Sequence, residues 1–285
     1  MITVIMAFYN DAGCLREAIT AILNQTYKNF ELIAVDDCST DGSYELVRSF
    51  KDKRIRILRN KENKGIAKTR NSAIPHAKGQ YIFFTDSDCV VHPDWLKEGL
   101  KPFKNKDCVG VEGYTIYIKK GYVPSISDKV PGTLEQGHYM TCNIGYKKSI
   151  LQELGGLDER YCYNDDRELA LRVLERGKIY YCDKMCVTHQ KKLWTVNSRI
   201  KSARRAADRV LLFKDHGEKE FFIGRIMYPR NLVKILFPPL ILLPLFKHKN
   251  KTFLDYKIVL ASYIRFLYER YIIWKSAIRY RIFVV

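Results

Sequence analysis

The chain has 285 residues, of which 47% are hydrophobic and 28% are charged, so it can bury a large core and is not a disordered protein. Its formal net charge of +18 predicts an anionic partner: nucleic acid, anionic lipid or a phosphorylated substrate. The eight cysteines include no Cys-x-x-Cys pair, which excludes the usual spacing of structural zinc sites and of dense disulfide frameworks.

Short apolar runs rich in β-branched residues alternate with amphipathic stretches in the first part of the chain. The apolar runs predict strands, and the amphipathic stretches predict helices. In chain order we predict a strand over 2–8, a helix over 12–24, a strand over 31–35, a helix over 42–51, a strand over 55–58, a helix over 65–77 and a strand over 81–85. This alternation predicts an α/β domain with a Rossmann-like, mostly parallel sheet and helices on both faces.

Polar clusters follow the first, second and fourth predicted strands, at 9–11, 36–42 and 85–88. Ligands of doubly wound sheets bind beyond the carboxyl ends of the strands, so the clusters predict one binding edge. The third cluster contains Asp86 and Asp88, and two carboxylates at the end of a buried strand need water, a cation or a hydrogen-bonding ligand. A turn and helix cap explain part of the 36–42 cluster, but not its two adjacent acids.

Between residues 107 and 190 the pattern predicts strands near 108–118, 140–146 and 179–187 and helices near 147–154 and 166–176. Gly155 and Gly156 separate the two helices. Glycines at such a place indicate either a close approach of the backbone to another group or a left-handed helix cap.

Two basic clusters, at 199–209 and 247–251, flank the apolar stretch 235–246. That stretch has 12 residues, including three prolines, and is shorter than the about 20 that a spanning helix needs, so it predicts an interfacial or re-entrant element. Apolar residues then recur with helical spacing at Leu260, Ile264, Leu267, Tyr271, Trp274 and Ile278. Such a helix packs either on the protein's own core or on a membrane, and the basic clusters favour the membrane.

Several segments resemble, in the same order, the motifs of the inverting nucleotide-sugar glycosyltransferases of family 2, which have the GT-A fold. They are residues 3–10, 31–42, 63–65, 68–71, 79–88, 155–159 and 165–169, and the resemblance spans about 2–190. Ala7 and Phe8 replace the commoner Pro and Thr or Ser of the family. The resemblance implies a GT-A domain over 1–195, with a nucleotide-sugar half at 1–90 and an acceptor half at 91–195, followed by a helical, amphipathic, membrane-associating extension over 196–285.

The resemblance also implies which residues bind the nucleotide. Asp37 would meet the edge of the base, with Asp36 beside it. Arg70 or Lys68 would meet the phosphates, Arg70 with the better geometry, although Lys68 is equally well explained as a solvated charge. The complete implied set is Ala7, Phe8, Tyr9, Asp36, Asp37, Asn63, Gly65, Lys68, Arg70 and Asp86.

By the same resemblance, Asp88 would bind Mg²⁺ or Mn²⁺, and Asp86 would reach the ribose, or the metal through water. His189 is either a further metal ligand or a structural hydrogen-bonding residue. Inversion requires a general base, and the motif implies Asp166 for that role, with Asp165 as its neighbour and alternative. The same two acids also suit the N-terminus of the predicted helix that they begin.

The acceptor side is implied at Gly155, Gly156, Asp158, Glu168 and Trp194, and Glu168 would hydrogen-bond to the acceptor or to the backbone. Processive members of the family carry Gln-x-x-Arg-Trp after this region. The chain keeps Gln190 and Trp194 but has Leu193 where the Arg belongs. This departure favours the transfer of a single sugar over the synthesis of a polymer.

The sequence therefore predicts an inverting, metal-dependent glycosyltransferase that moves one sugar from a nucleotide diphosphate sugar to an acceptor hydroxyl. We expect the acceptor to be a lipid-linked glycan or a precursor of a cell-envelope polysaccharide. A polyprenyl-phosphate glycosyltransferase and a non-catalytic nucleotide-sugar-binding protein are the alternatives, and no nucleic-acid motif accompanies the charge. The first residues lack the features of a signal peptide, so we expect the protein on the cytoplasmic face of the membrane, as a peripheral or monotopic protein.

Overall fold

The structure is a computed structural model, and it describes residues 1–117, 125–126, 128, 136–190, 193–220, 222–223, 225–247 and 252–284. The chain divides into two compact units. The first contains Met1–Tyr117 and Pro131–Gln190, and the second contains Ile118–Val130 and Lys191–Val285. The first unit thus contains all of the segments that resemble the glycosyltransferase motifs.

Strands and helices alternate through the first unit much as the sequence predicts. Its elements are β1 (Ile2–Phe8), α1 (Ala12–Leu23), β2 (Phe30–Asp36), α2 (Ser43–Ser49), β3 (Ile55–Arg59), α3 (Ile66–Ala73), β4 (Tyr81–Phe84), β5 (Cys89–Val91), α4 (Trp95–Leu100), β6 (Cys108–Ile116), β7 (Ile144–Lys147), α5 (Lys148–Glu153), α6 (Asp165–Leu174) and β8 (Lys178–His189). Short 3₁₀ turns follow α3 and α4, at Ile74–His76 and Lys101–Lys104.

The eight strands form one sheet in the order β3-β2-β1-β4-β7-β6-β8-β5. The strands β1 to β4 pair in parallel, as do β6 and β8. Strand β7 runs antiparallel to both of its neighbours, β4 and β6, and β5 runs antiparallel to β8. The α/β prediction is confirmed, and the sheet is mixed because β7 joins the two parallel parts.

Apolar layers cover both faces of this sheet, which explains why its strands read as continuous apolar runs. Alternate residues of β1 divide between the layers: Val4 and Met6 belong to one core cluster, and Ile5 belongs to the other. Helix α1 packs on the first layer through the buried residues Leu15 and Ile19. Because β1 lies between β2 and β4 and is parallel to both, the carboxyl ends of these three strands lie side by side at one edge of the sheet.

The second unit is mainly helical. Its elements are α7 (Val196–Lys201), α8 (Arg205–His216), β9 (Phe222–Ile223), β10 (Ile226–Met227), α9 (Pro229–Leu236), α10 (Leu243–Lys247) and α11 (Phe253–Tyr280), with 3₁₀ turns at Ser202–Arg204 and Pro238–Leu242. The apolar stretch 235–246 is broken into the end of α9, a 3₁₀ turn and most of α10, as its prolines require. Among the described residues, no helix combines the length and the apolar character needed to cross a membrane.

Helix α11 has two apolar faces. One face packs in the core of the second unit through Ile273 and Ala277, together with Ala203, Ala206 and Val210. The other face carries the residues predicted from the sequence, which are 45–79% exposed: Leu260, Ile264, Leu267, Tyr271, Trp274 and Ile278. We call these six residues the α11 stripe. The stripe is therefore not the face that packs on the protein's own core.

Candidate active site

The polar loops after β1, β2 and β4 are tied together by hydrogen bonds, as the sequence predicts for neighbouring carboxyl ends. The Asn10 backbone N–H donates to Ser39 Oγ at 3.0 Å, and Thr40 N–H donates to Asn10 Oδ1 at 2.8 Å. From the third loop, Ser87 Oγ donates to Asp11 Oδ2 at 2.6 Å. Asn10 has a φ of +53°, a left-handed conformation that asparagine tolerates better than most residues. The edge is thus a connected rim.

The two acids at the end of β2 have different environments. Asp36 is fully buried, pairs with Arg59 Nε at 3.0 Å and accepts a hydrogen bond from Ser39 N–H at 2.9 Å. Asp37 accepts hydrogen bonds from Asn60 Nδ2 at 2.8 Å and from the N–H groups of residues 64 and 65 at 2.9 and 3.0 Å. Asp36 therefore stabilises the rim from inside, whereas Asp37 holds the 60–65 loop beside it.

The other residues predicted to bind the nucleotide are placed around these acids. Ala7 and Phe8 are buried in the sheet, and the Phe8 carbonyl oxygen accepts a hydrogen bond from Asp37 N–H at 2.9 Å, whereas Tyr9 is 46% exposed. Asn63, Gly65 and Lys68 are exposed along the 60–65 loop and the first turn of α3. The exposed residues lie on the same rim as Asp37.

Arg70 joins two parts of the first unit through a buried double ion pair. Its guanidinium donates to Asp86 Oδ1 at 2.6 Å and to Asp165 Oδ2 at 3.2 Å. The side chains of Arg70 and Asp165 are each only 5% exposed, so the pair is shielded from solvent. Arg70 thus connects the end of β4 to the first residue of α6, and two carboxylates already engage its guanidinium.

Four potential metal ligands converge after β4. The donor atoms of Asp86, Asp88, Cys89 and His189 all lie within 4.8 Å of one another. The distance from His189 Nε2 to Asp88 Oδ1 is 3.5 Å. Two carboxylates and an imidazole form a donor set that fits a divalent cation, so the predicted combination of Asp86, Asp88 and His189 is brought together.

Asp166 is the second residue of α6 and is half-buried. Burial and the neighbouring Asp165 carboxylate raise the pKa of Asp166 to about 7, because both disfavour a second negative charge at this place. Asp165 differs because it is ion-paired with Arg70, although burial raises its pKa as well. Of the two candidates for the general base, Asp165 is ion-paired with Arg70 and Asp166 is not.

The glycine pair before α6 lies in a braced loop. Gly155 and Gly156 have φ values of +72° and +76°, which confirms the predicted left-handed backbone. A Cβ on Gly156 would lie 2.5 Å from Asn71 Oδ1, so close approach is also required there. Asn71 exchanges two hydrogen bonds with the backbone of Leu157, at 2.8 and 2.9 Å. The two sequence-based interpretations of the pair are therefore both correct at Gly156.

The remaining acceptor-side predictions are placed as follows. Glu168 is paired with Arg172 at 2.6 Å, and Arg172 also donates to the carbonyl oxygens of residues 154 and 156. Asp158 pairs with Arg160 at 2.6 Å on the surface. Trp194 belongs to the second unit, where Arg199 lies over its ring at 5.0 Å. Glu168 therefore contacts the glycine loop through Arg172.

The family model described as Glycosyl transferase family 2 matches residues 3–155 of the chain, which is more than half of its length. The chain belongs to this family. It is a glycosyltransferase, and the matched part contains the rim, Arg70, Asp86 and Asp88. The match ends before α6 and therefore does not include Asp165 and Asp166.

One curated relative of this glycosyltransferase acts on a sugar linked to diphosphoundecaprenol, and another is assigned to teichuronic acid biosynthesis. It is 32% identical over 183 residues to the UDP-Glc:alpha-D-GlcNAc-diphosphoundecaprenol beta-1,3-glucosyltransferase WfaP of Escherichia coli, which covers 62% of this chain and 71% of WfaP. It is also 32% identical over 124 residues to the putative teichuronic acid biosynthesis glycosyltransferase TuaG of Bacillus subtilis, covering 42% of this chain and 49% of TuaG. The match thus spans about half the length of TuaG.

Solved glycosyltransferases share the fold. The mannosyltransferase PcManGT from Pyrobaculum calidifontis, in complex with GDP-Man and Mn²⁺, has a TM-score of 0.59 and 18% identity, covering 97% of this chain and 73% of that protein. The S. aureus TarS 1–349 complex with UDP-GlcNAc has a TM-score of 0.59 and 16% identity, covering 99% and 92%. Both likenesses confirm the predicted GT-A fold of this glycosyltransferase.

Sequence reasoning missed four residues that organise the site: Asn60, Asn71, Cys89 and Arg172. Asn71 lies in a segment that resembles a family motif, and Cys89 directly follows Asp88, so both had a local signal. Asn60 and Arg172 contact residues that are distant in sequence, and no local pattern indicates such contacts. Cys89 lies in the metal-ligand cluster beside a histidine from another strand of the sheet, an arrangement that the spacing of cysteines along the chain does not reveal.

We expect the Arg70→Ala variant of this glycosyltransferase to lose about 3–5 kcal/mol of unfolding free energy, because it leaves two partly or fully buried carboxylates without their cation. Urea unfolding measures the change. Lys68→Ala is the matched control, since Lys68 is half-exposed and its ammonium is 3.9 Å from Glu159, and we expect a change within about 0.5 kcal/mol. Equal losses in the two variants would contradict the buried ion pair.

Proposed function

We propose that the protein is an inverting, metal-dependent glycosyltransferase that transfers a single sugar from a nucleotide diphosphate sugar to an acceptor hydroxyl. One observation carries this proposal. Asp166, a carboxylate whose pKa is raised to about 7, lies next to Asp165 in the first turn of α6. Arg70 joins Asp165 to Asp86 of the metal-ligand cluster. A general base and a donor-phosphate site are thereby held in one rigid arrangement.

The rim would hold the nucleotide. Asp37 and the 60–65 loop that it fixes offer a carboxylate and exposed polar groups for the base and ribose, with Tyr9 exposed beside them. Arg70 would act as a positioning residue, because two carboxylates already accept from its guanidinium. Lys68 is an exposed cation on the same rim, and its ammonium, 3.9 Å from Glu159, would turn toward a bound phosphate.

Asp88, Asp86 and His189 would hold Mg²⁺ or Mn²⁺, since their donor atoms converge and are of the types that these ions take. A bound divalent cation neutralises the charge of the departing nucleoside diphosphate. PcManGT has been solved with Mn²⁺ and a nucleotide sugar, which supports the same use of the fold here.

Inversion follows if the acceptor attacks the anomeric carbon from the face opposite the leaving diphosphate. Asp166 takes the proton of the acceptor hydroxyl as the new bond forms, and its raised pKa suits it to accept that proton near neutral pH. The Gly155–Gly156 loop, braced by Asn71 and Arg172, lies just before this helix and would shape the acceptor side.

We expect kcat/KM to rise with pH through about 7 and then level off. Asp166 must be unprotonated to act as a base, and since its pKa is raised to about 7, the protonated, inactive form predominates below that pH. A pH profile of initial rates with saturating metal measures this. A profile that is flat between about pH 5 and about pH 9 would contradict the assignment of the base.

Transfer of a single sugar to a lipid-linked glycan is the acceptor chemistry that we propose. Leu193 stands where processive members have Arg, and it is 53% exposed. WfaP acts on a sugar linked to diphosphoundecaprenol, which supports a lipid-linked acceptor for the present enzyme as well. A polyprenyl phosphate acceptor is the alternative, and it would make Asp166 less necessary because a phosphate needs no deprotonation by a base.

We propose that the second unit places the enzyme on the cytoplasmic face of the membrane through the α11 stripe. The stripe is apolar and aromatic, and basic side chains accompany it: Lys257 lies 4.4 Å from the Phe253 ring, and Lys275 lies 6.0 Å from the Tyr271 ring. A helix with aromatic, apolar and basic side chains suits an anionic lipid surface, and the chain's charge of +18 complements it.

We expect the double variant Trp274→Glu, Ile278→Glu to bind anionic vesicles about 10²-fold more weakly, because each apolar side chain that it removes contributes about 1.5–3 kcal/mol when buried. Co-sedimentation with phosphatidylglycerol vesicles measures the binding. The control is Leu174→Glu, which changes an exposed apolar residue of the first unit and leaves the stripe intact. Unchanged binding by the double variant would contradict the membrane role of the stripe.

The proposed function is tested by release of nucleoside diphosphate from a panel of UDP-, GDP- and TDP-sugars, with Mn²⁺, Mg²⁺ or EDTA, in the presence of a membrane lipid extract. We expect release from one donor that needs a divalent cation and increases with lipid. A folded protein that binds a nucleotide sugar but releases no diphosphate under any of these conditions would contradict catalysis and favour a binding protein.

A further inference from the structure

Cys89 brings a thiol into the metal-ligand cluster. It is the first residue of β5, and His189 is the last residue of β8. The two residues are direct partners in the antiparallel β5–β8 pair, so their side chains project from the same face of the sheet. The Cys89 Sγ lies within 4.8 Å of the donor atoms of Asp86, Asp88 and His189, and it is 3.8 Å from Asp88 Oδ1.

His189 is held in an orientation that suits a metal ligand. Its Nδ1 is 3.0 Å from the carbonyl oxygen of Gln190, and the Tyr117 ring stacks on the imidazole with a centroid distance of 4.8 Å. If Nδ1–H donates to that carbonyl, the lone pair of Nε2 faces Asp88, 3.5 Å away. A histidine whose second nitrogen is fixed by a carbonyl is the usual form of a metal-binding histidine.

The donor set is therefore of two kinds. The carboxylates of Asp86 and Asp88 suit hard ions such as Mg²⁺, whereas the thiol of Cys89 and the imidazole of His189 suit borderline and soft ions such as Zn²⁺, Co²⁺ and Cd²⁺. A borderline ion gains a thiolate bond when the thiol releases its proton to solvent, and a hard ion gains little from that ligand. The cluster thus differs from one built from oxygen ligands alone.

We propose that Cys89 is a ligand for borderline divalent ions, so that Zn²⁺ or Co²⁺ binds through Cys89 Sγ, Asp88 and His189 Nε2 and competes with the activating Mg²⁺ or Mn²⁺. This inference rests on the proposed function in placing the activating cation at the same cluster. Cys89 then determines which ion the enzyme retains, and zinc inhibits it by occupying the site.

The test is a titration of the full chain with Co²⁺ followed by absorption spectroscopy, without any sugar donor. It uses a Cys162→Ser background, because Cys162 is an exposed thiol. We expect a sulfur-to-cobalt charge-transfer band in the near ultraviolet that disappears in Cys89→Ser. Cys108→Ser is the matched control and keeps the band, because Cys108 is equally buried but contacts the carbonyl oxygen of Gly110 at 3.2 Å and is not in the donor set.

A band that persists in Cys89→Ser, or a wild-type protein that binds Co²⁺ without such a band, would overturn the inference. Cys89 is fully buried, so thermal unfolding accompanies each spectrum, and Cys89→Ala serves as the second variant if the serine destabilises the core. The failure of the proposed function is distinguishable from the failure of this inference. A Cys89-dependent band in a protein that transfers no sugar would support Cys89 as a metal ligand and contradict the proposed transferase activity. Sugar transfer by a protein that shows no such band would support the activity and contradict the ligand.

Discussion

Replacing Asp166 with asparagine is expected to lower kcat by about 10²–10⁴-fold, the range that a general base contributes. The asparagine would keep the shape of the side chain and its place at the start of α6 but would not accept the proton of the acceptor hydroxyl. The affinity for the nucleotide sugar should change by no more than a few fold, because Asp166 is not one of the metal-ligand residues and acts on Asp86 only through its charge. Initial rates and calorimetric titration with the donor measure the two quantities.

Asp183→Asn is the control for this experiment, since Asp183 is an exposed carboxylate of β8 and its replacement makes the same chemical change away from the site. It should leave kcat unchanged. If Asp166→Asn retains the wild-type rate, Asp166 is not the base. If Asp165→Asn then abolishes turnover without unfolding the protein, the base is Asp165, and Arg70 would have to release it.

Replacing Asp88 with asparagine should remove the metal dependence of donor binding. The variant keeps a side chain of the same size in a place that is only 7% exposed, but it removes one negative charge from the cluster. Since a divalent cation contributes several kcal/mol to the stabilisation of the leaving diphosphate, transfer should fall by about 10²-fold or more. Calorimetric titration of nucleoside diphosphate with and without Mn²⁺ measures the binding effect directly.

Wild-type protein in EDTA provides the reference, because its affinity should match that of Asp88→Asn in Mn²⁺. Asp183→Asn again tests for a general effect of lost charge and should keep the full response to Mn²⁺. An Asp88→Asn protein whose affinity still increases with Mn²⁺ as much as that of the wild type would contradict the metal assignment.

The rim of the site was predictable because its signals are local. Each buried strand from β1 to β4 is a short apolar run, and parallel neighbours necessarily place their carboxyl ends at one edge. That rule predicts the position of three carboxylates at this edge: Asp37, Asp86 and Asp88. The pattern of exposed residues on α11 was predictable for a similar reason, since helical periodicity identifies a face without any knowledge of the tertiary structure.

Contacts between distant segments were not predictable in the same way. Arg70 and Asp165 are separated by 95 positions, and only the fold brings them together. The sequence favoured Arg70 as a phosphate ligand because of its geometry, but the guanidinium has two partners within the protein, the buried Asp165 and the partly buried Asp86. Strand β5 has three residues, too few to show the alternation of apolar and polar residues that identifies a strand in a sequence. It forms because β8 offers a free edge. The cysteine in the metal-ligand cluster depends on that same pairing.

Under the proposed function, Arg70 would couple donor binding to protonation of the proposed base, Asp166. It shares one positive charge between Asp86 and Asp165, and both of these carboxylates act electrostatically on Asp166. A ligand that draws Asp86 away from Arg70 changes the charge balance at Asp165 and therefore the proton affinity of Asp166. Thermodynamic reciprocity then requires that the proton on Asp166 change the affinity for that ligand by the same factor. A change of pH would therefore change the affinity for the donor, and donor binding would change the pKa of Asp166. Both effects would act through a single buried guanidinium.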